Sequence, residues 1–157
     1  MNPGEWWLVE GARPRPLTLV VIYDNISGSE NAVVDSRRQS NPTTRKTRPI
    51  SWIRAALREL EKFPEGARST CLTALTIAAE GGRSDIAKPM HGLGSGVFEI
   101  ALPFRGDAFR VVYAVQLAEE IWVVHAFQKK STQGIKTPKR EIVLIKDRLK
   151  RLREMLQ

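Results

Sequence analysis

Residues 97–127 hold three apolar segments in quick succession: VFEIALPF at 97–104, AFRVVYAV at 108–115 and EIWVVHAF at 120–127. In the first, Phe98, Ile100 and Leu102 alternate with Glu99 and Ala101, the period-two pattern of a half-buried strand. The second is rich in β-branched and aromatic residues. RGD at 105–107 reads as one turn, and a second turn falls near Leu117–Glu119. Three strands joined this tightly form an antiparallel meander.

Helical periodicity flanks the meander. Ile53, Ala56, Leu57 and Leu60 recur at helical spacing. After a break at Pro64, a second helix is predicted from Glu65, with Cys71, Leu72, Leu75, Ala78 and Ala79 apolar and EGGRSD as its stop. So short a break predicts an antiparallel helical hairpin. RPISWI (48–53) reads as a short edge strand, and the glycine-rich 92–96 as a turn feeding the first meander strand. Beyond the meander, Thr137 is the expected cap of a helix with Pro138 at its first position. There Ile142, Ile145, Leu149, Leu152 and Leu156 form an apolar stripe, with Lys146, Arg148, Lys150, Arg151 and Arg153 assigned to the other faces. The order predicts an α+β domain over 47–157 with helices on one face of a small sheet. Residues 1–46 stand apart as an extension, a strand at LTLVVIYD followed by a polar linker, or as translated leader upstream of a misassigned start.

The net charge of +8 is unevenly spread. Residues 128–157 carry ten Lys/Arg against three Asp/Glu, whereas residues 51–127 carry eight against nine. Lys129, Lys130, Lys136, Lys139 and Arg140 come before any acid appears at Glu141, and a cationic cluster like this is the footprint of a polyanionic partner such as nucleic acid. A solvated helix face is the bland alternative. Cys71 is the only cysteine, which excludes an internal disulfide and fits a reduced, cytoplasmic setting. Nothing in the sequence suggests a membrane span or a secretory signal. One Cys with His91 and His125 at no ligand spacing gives no metal site, and no cofactor is expected. GLGSG lacks the helix and Lys-Ser/Thr pair of a phosphate loop. Arg110, Lys129, Lys130 and Lys136 remain as the residues that can carry chemistry.

KPMHGLGSGVFEIALPFRGDAFRVVYAV and IWVVHAFQKKSTQGIKTPKREI resemble the HigB branch of the RelE-type toxins, and more narrowly its phage-derived group. FRVVY (109–113) and HAFQKK followed by KTP (136–138) are the most specific pieces, and the resemblance covers about residues 47–157. It implies a RelE-like fold, a helical hairpin on an antiparallel three- to four-stranded sheet; this chain lacks the classical toxins' late C-terminal tyrosine and continues instead into the basic C-terminal helix. It also implies a type II toxin–antitoxin toxin that cleaves mRNA in the ribosomal A site and is neutralised by a helix-turn-helix, HigA-like antitoxin in a hetero-oligomer.

Arg110 matches the family's phosphate-binding arginine and Lys130 a second cation, while Lys129 and Lys136 would position RNA. Tyr113 also matches, but alternation points it away from Arg110, so it is either core or site. Classical RelE toxins have two lysines where this chain has Glu99 and Ala101. Glu99 is then a general base or the partner that holds Arg110. His125 is a proton donor or acceptor, or a packed strand histidine. Lys88, expected in the loop before the sheet, is a solvated charge or an RNA-phosphate contact. The competing functions are a ParE-like gyrase inhibitor that cuts no RNA, and an inactive remnant that only binds its antitoxin or DNA.

Overall fold

The computed structural model describes residues 20–23, 47–130 and 136–157. In chain order the elements are β1 (Val20–Tyr23), β2 (Ile50–Ile53), α1 (Arg54–Glu61), α2 (Glu65–Ala79), β3 (Ala87–Pro89), β4 (Val97–Phe104), β5 (Asp107–Leu117), β6 (Glu120–Lys129) and α3 (Lys139–Met155). The meander is present as β4–β5–β6. At its first hairpin Phe104 pairs with Asp107, and the two residues between, Arg105 and Gly106, have φ of 51° and 84°. Two left-handed residues in a row give the tight turn whose twist matches antiparallel strands.

The sheet is larger than the expected three or four antiparallel strands. β2 to β6 make a five-stranded mixed sheet in the order β2-β6-β5-β4-β3, and β1 pairs parallel with the outer side of β2 as a sixth strand. β2 is therefore not an edge strand: it lies between β1 and β6, parallel to both. All four of its residues are buried, so it shows no alternation to read. β3 stands where the sequence predicts loop. Three residues are too few for a periodic signal, and its Pro89 is tolerated because β3 is an edge. β1 falls inside the 1–46 extension; the rest of that extension lies outside the described residues.

α1 buries Ala56, Leu57 and Leu60, and α2 buries Cys71, Leu75, Ala78 and Ala79, as their spacing predicts. Each helix packs on the sheet more than on the other: α1 on β2 and β6, α2 on β4, β5 and β6. Just past the end of α2, Gly81 (φ 90°) donates its N–H to the carbonyl of Ala78.

The helices cover both faces of the sheet, not one. Cross-strand partners point the same way. Phe104 and Phe109 therefore share one face, where Phe109 meets Phe63 of the α1–α2 connection and Phe104 closes on Gly66 of α2. Glu99, Arg110, His125 and Phe127 belong to the opposite face by register, and α3 reaches that face. Ile145, Leu149 and Leu152 of α3 are buried, joining the same core as Trp52 and Trp122. Among the described residues no helix is long and apolar enough to cross a membrane.

Candidate functional site

The α3-facing side of the sheet collects most of the residues singled out from the sequence. Arg110 lies mid-way along β5, opposite Ala101 on β4 and Phe127 on β6. Glu99 sits one step along β4 on the same face, and Lys88 lies directly opposite Glu99 on β3, so Lys88 is a strand residue and not part of a loop. By alternation His125, Phe127 and Lys129 follow one another down β6 on this face.

Most of these charges are satisfied inside the protein. Arg110 and Glu99, only 7% and 8% exposed, form an ion pair through Arg110 Nη1 and Glu99 Oε1. The other carboxylate oxygen, Oε2, accepts from the Thr137 hydroxyl at 2.5 Å. Thr137 is thus not the cap of α3. The helix begins after Pro138, with no side-chain cap, and Thr137 ties the approach to α3 onto the sheet. Buried Lys129 donates its Nζ to the carbonyl of Lys136 at 2.6 Å.

His125 is the second centre. Its Nε2 lies 2.6 Å from Glu141 Oε2 and its Nδ1 lies 2.8 Å from Arg148 Nη1. A guanidinium only donates, so Nδ1 accepts and Nε2 carries the proton. Burial lowers the His125 pKa below 6.5 and Arg148 adds to the effect, with Glu141 and Glu59 opposing it. The ring stacks on Phe127, with centroids 5.2 Å apart. A register shift in the β5–β6 ladder explains part of this geometry. Val112 pairs with His125 but Tyr113 pairs with Val123, which leaves Val124 as an extra residue. The Val124 carbonyl then accepts from Arg148 at 3.1 Å.

The sequence pattern marks neither Glu141 nor Arg148 as a site residue and places Arg148 on an outward face. It points inward. A signal for both was present: residues 141, 145, 148 and 152 share one helical face, so the stripe of Ile145 and Leu152 includes two charges. Arg153 also turns in, donating to the Leu93 carbonyl at 3.0 Å.

The remaining residues are placed elsewhere. Tyr113 is 1% exposed and stacks on Phe98, away from Arg110, and burial raises its pKa. Lys130 is exposed just beyond β6, whereas Lys129 shares the Arg110 face. Lys136 is exposed beside Thr137. A cleft of about 580 Å³ opens here, lined by Phe127, Lys129, Lys130, Lys139 and Arg140 with Glu141 as its acid. A second cleft, about 870 Å³, runs between α1, β6 and α3 past Arg54, Arg58, His125 and Arg148. Among the described residues no group of three or more His, Cys, Asp or Glu is arranged to hold a metal ion.

The family model described as "Phage derived protein Gp49-like (DUF891)" matches residues 58–150. The chain belongs to the Gp49-like family. Gp49-like proteins are relatives of the RelE/HigB-type toxins. The match takes in every residue of both centres, from Lys88 to Arg148, and leaves β1 and β2 outside. No curated protein and no solved structure matches the chain.

Proposed function

We propose that this Gp49-like chain is the toxin of a type II toxin–antitoxin pair and acts as a ribosome-associated, metal-independent mRNA endoribonuclease. Its partner would be a helix-turn-helix antitoxin. The observation that carries this reading is the gathering of Arg110, Glu99, His125, Lys129 and Lys88 on one sheet face beside a cationic cleft, within the region that matches the family.

In the proposed reaction a ribose 2′-hydroxyl attacks the adjacent phosphorus. Its proton passes to a base, the bond to the 5′-oxygen breaks, and that oxygen takes a proton from an acid. The products are a 2′,3′-cyclic phosphate and a 5′-hydroxyl. Arg110 and Lys130 would stabilise the dianionic phosphorane. The exposed Lys136 and Lys88 would position the chain of phosphates, with buried Lys129 holding the Lys136 backbone in place, and Glu99 or His125 would carry protons.

A second reading is favoured by one specific observation. Both ring nitrogens of His125 are engaged, and Arg110 is paired with Glu99. In this arrangement His125 has neither a lone pair nor a proton to offer a substrate without exchanging a partner. That fits a protein that acts by binding alone, as a gyrase inhibitor or as a remnant that holds only its antitoxin.

Inducing the chain in growing bacteria and mapping mRNA 5′ ends separates the two. In-frame cuts are expected from the wild type. Arg110→Ala with Lys130→Ala should abolish cutting and growth inhibition, because loss of such a charge typically costs on the order of 100-fold in rate. A double variant that stays folded and fully toxic would put the binding reading first.

A further inference from the structure

We propose that Glu99 is a resident carboxylate that keeps the anion position at Arg110 closed to phosphate, and that Thr137 couples this closure to the seating of α3. The proposal rests on the reading of Arg110 as the phosphate-binding arginine and names how that site is regulated.

The two oxygens of Glu99 do different work. One pairs with Arg110 and the other accepts from Thr137 at 2.5 Å, and both members of the ion pair are buried. A guanidinium presents the same planar donors to a carboxylate and to a phosphate. Glu99 holds one of those donors, Nη1, so an RNA phosphodiester that enters competes with it for the guanidinium and meets a like charge if Glu99 stays. Glu99 has a place to go. Lys88, exposed on the edge strand, is its direct cross-strand partner, so a rotation of the carboxylate exchanges Arg110 for Lys88.

Thr137 makes the closure conditional. It stands two residues before α3, next to the Lys136 carbonyl that accepts from Lys129 at 2.6 Å. Glu141, in the first turn of α3, is held by His125. Among the described residues these contacts fasten the start of α3 to one sheet face, and one of them is the second anchor of Glu99. Lifting residues 136–138 removes that anchor and leaves Arg110 as the carboxylate's partner among the described residues.

The test is binding of a mixed-sequence single-stranded RNA oligonucleotide, followed by fluorescence anisotropy over a series of salt concentrations. Glu99→Gln keeps the shape and the acceptor for Thr137 while removing the charge. It should bind on the order of tenfold tighter at low salt. Its plot of log K against log salt should steepen by about 0.7, the increment for one further phosphate on a single strand. The gain should vanish when Arg110→Ala is added. Thr137→Val, which leaves every charge in place, should give a smaller gain of the same sign. Glu154→Gln, on the exposed side of α3, removes an equal charge and should give none.

Unchanged affinity and slope in Glu99→Gln, or a gain that survives Arg110→Ala, overturns the proposal. If Glu99→Gln does not fold, Thr137→Val decides, and no gain in a folded Thr137→Val protein overturns it equally. The outcome is separable from the nuclease reading. A binding gain without cut RNA in any variant supports the gate and removes the nuclease, whereas cleavage by the wild type with no gain does the reverse.

Discussion

Taking this protein from about pH 7.5 to about pH 5 asks His125 to accept a proton where the neutral ring is already fully bonded. Nδ1 is the only nitrogen with a lone pair, and Arg148 Nη1 donates into it at 2.8 Å. Protonation would turn that contact into two opposed donors on a ring that is 5% exposed. The unfolded chain has no such obstacle and binds its proton near pH 6.5, while burial and Arg148 hold the folded pKa lower. In the window between the two, the unfolded state carries more protons, so stability falls as pH falls. The full contribution of the neutral ring is present above pH 6.5 and is lost down to the folded pKa. One group gives a slope of at most about 1.4 kcal/mol per pH unit in that window. Urea melts followed by circular dichroism, at closely spaced pH values, read this slope directly. His125→Gln should flatten it. Glu141→Gln should widen the window, because Glu141 supports the charged ring, and Arg148→Met should narrow it. The only other histidine, the exposed His91, supplies the control variant His91→Gln. An unchanged slope in His125→Gln, or wild-type stability that rises on acidification through this window, would refute the assigned tautomer and its linkage.

Three further outcomes follow from the same geometry. Lys136→Ala removes an exposed cation and should flatten the salt dependence of RNA binding by about 0.7, whereas Lys129→Ala, which strips a buried donor from the Lys136 carbonyl, should mainly lower the melting midpoint, by about 1–3 kcal/mol of stability. Gly94 has a φ of 94°, and an added Cβ would lie 2.7 Å from Arg153 Nη2, so Gly94→Ala should destabilise by on the order of 1–2 kcal/mol in a denaturant melt. The buried Cys71 thiol is pushed up to about 12, so a thiol reagent at mildly alkaline pH should leave the native protein unlabelled and modify one site after unfolding.

Local periodicity carried a large part of the fold. The alternation in 97–104 and the β-branched run at 108–115 specify strands whatever surrounds them, and short turns leave successive strands little choice but to pair. The same holds for Leu57 and Leu60 in α1 and for Ile145, Leu149 and Leu152 in α3, where spacing alone names the inward face. The charge asymmetry and the family resemblance were equally legible, since neither needs coordinates. Long-range partners were not. β2 is four residues buried on all sides, and nothing local says that it lies parallel between β1 and β6, because that depends on chain segments far away. The polar contacts of the site show the same division. Arg110, Glu99 and His125 were readable as candidates from residue type and position. That Glu99 is shared between Arg110 and Thr137, and His125 between Glu141 and Arg148, follows from α3 crossing the sheet on the face opposite α2. A charged residue shows in sequence what it can bond to, whereas only tertiary structure brings it a partner 16 to 38 positions away, within 2.5–2.8 Å.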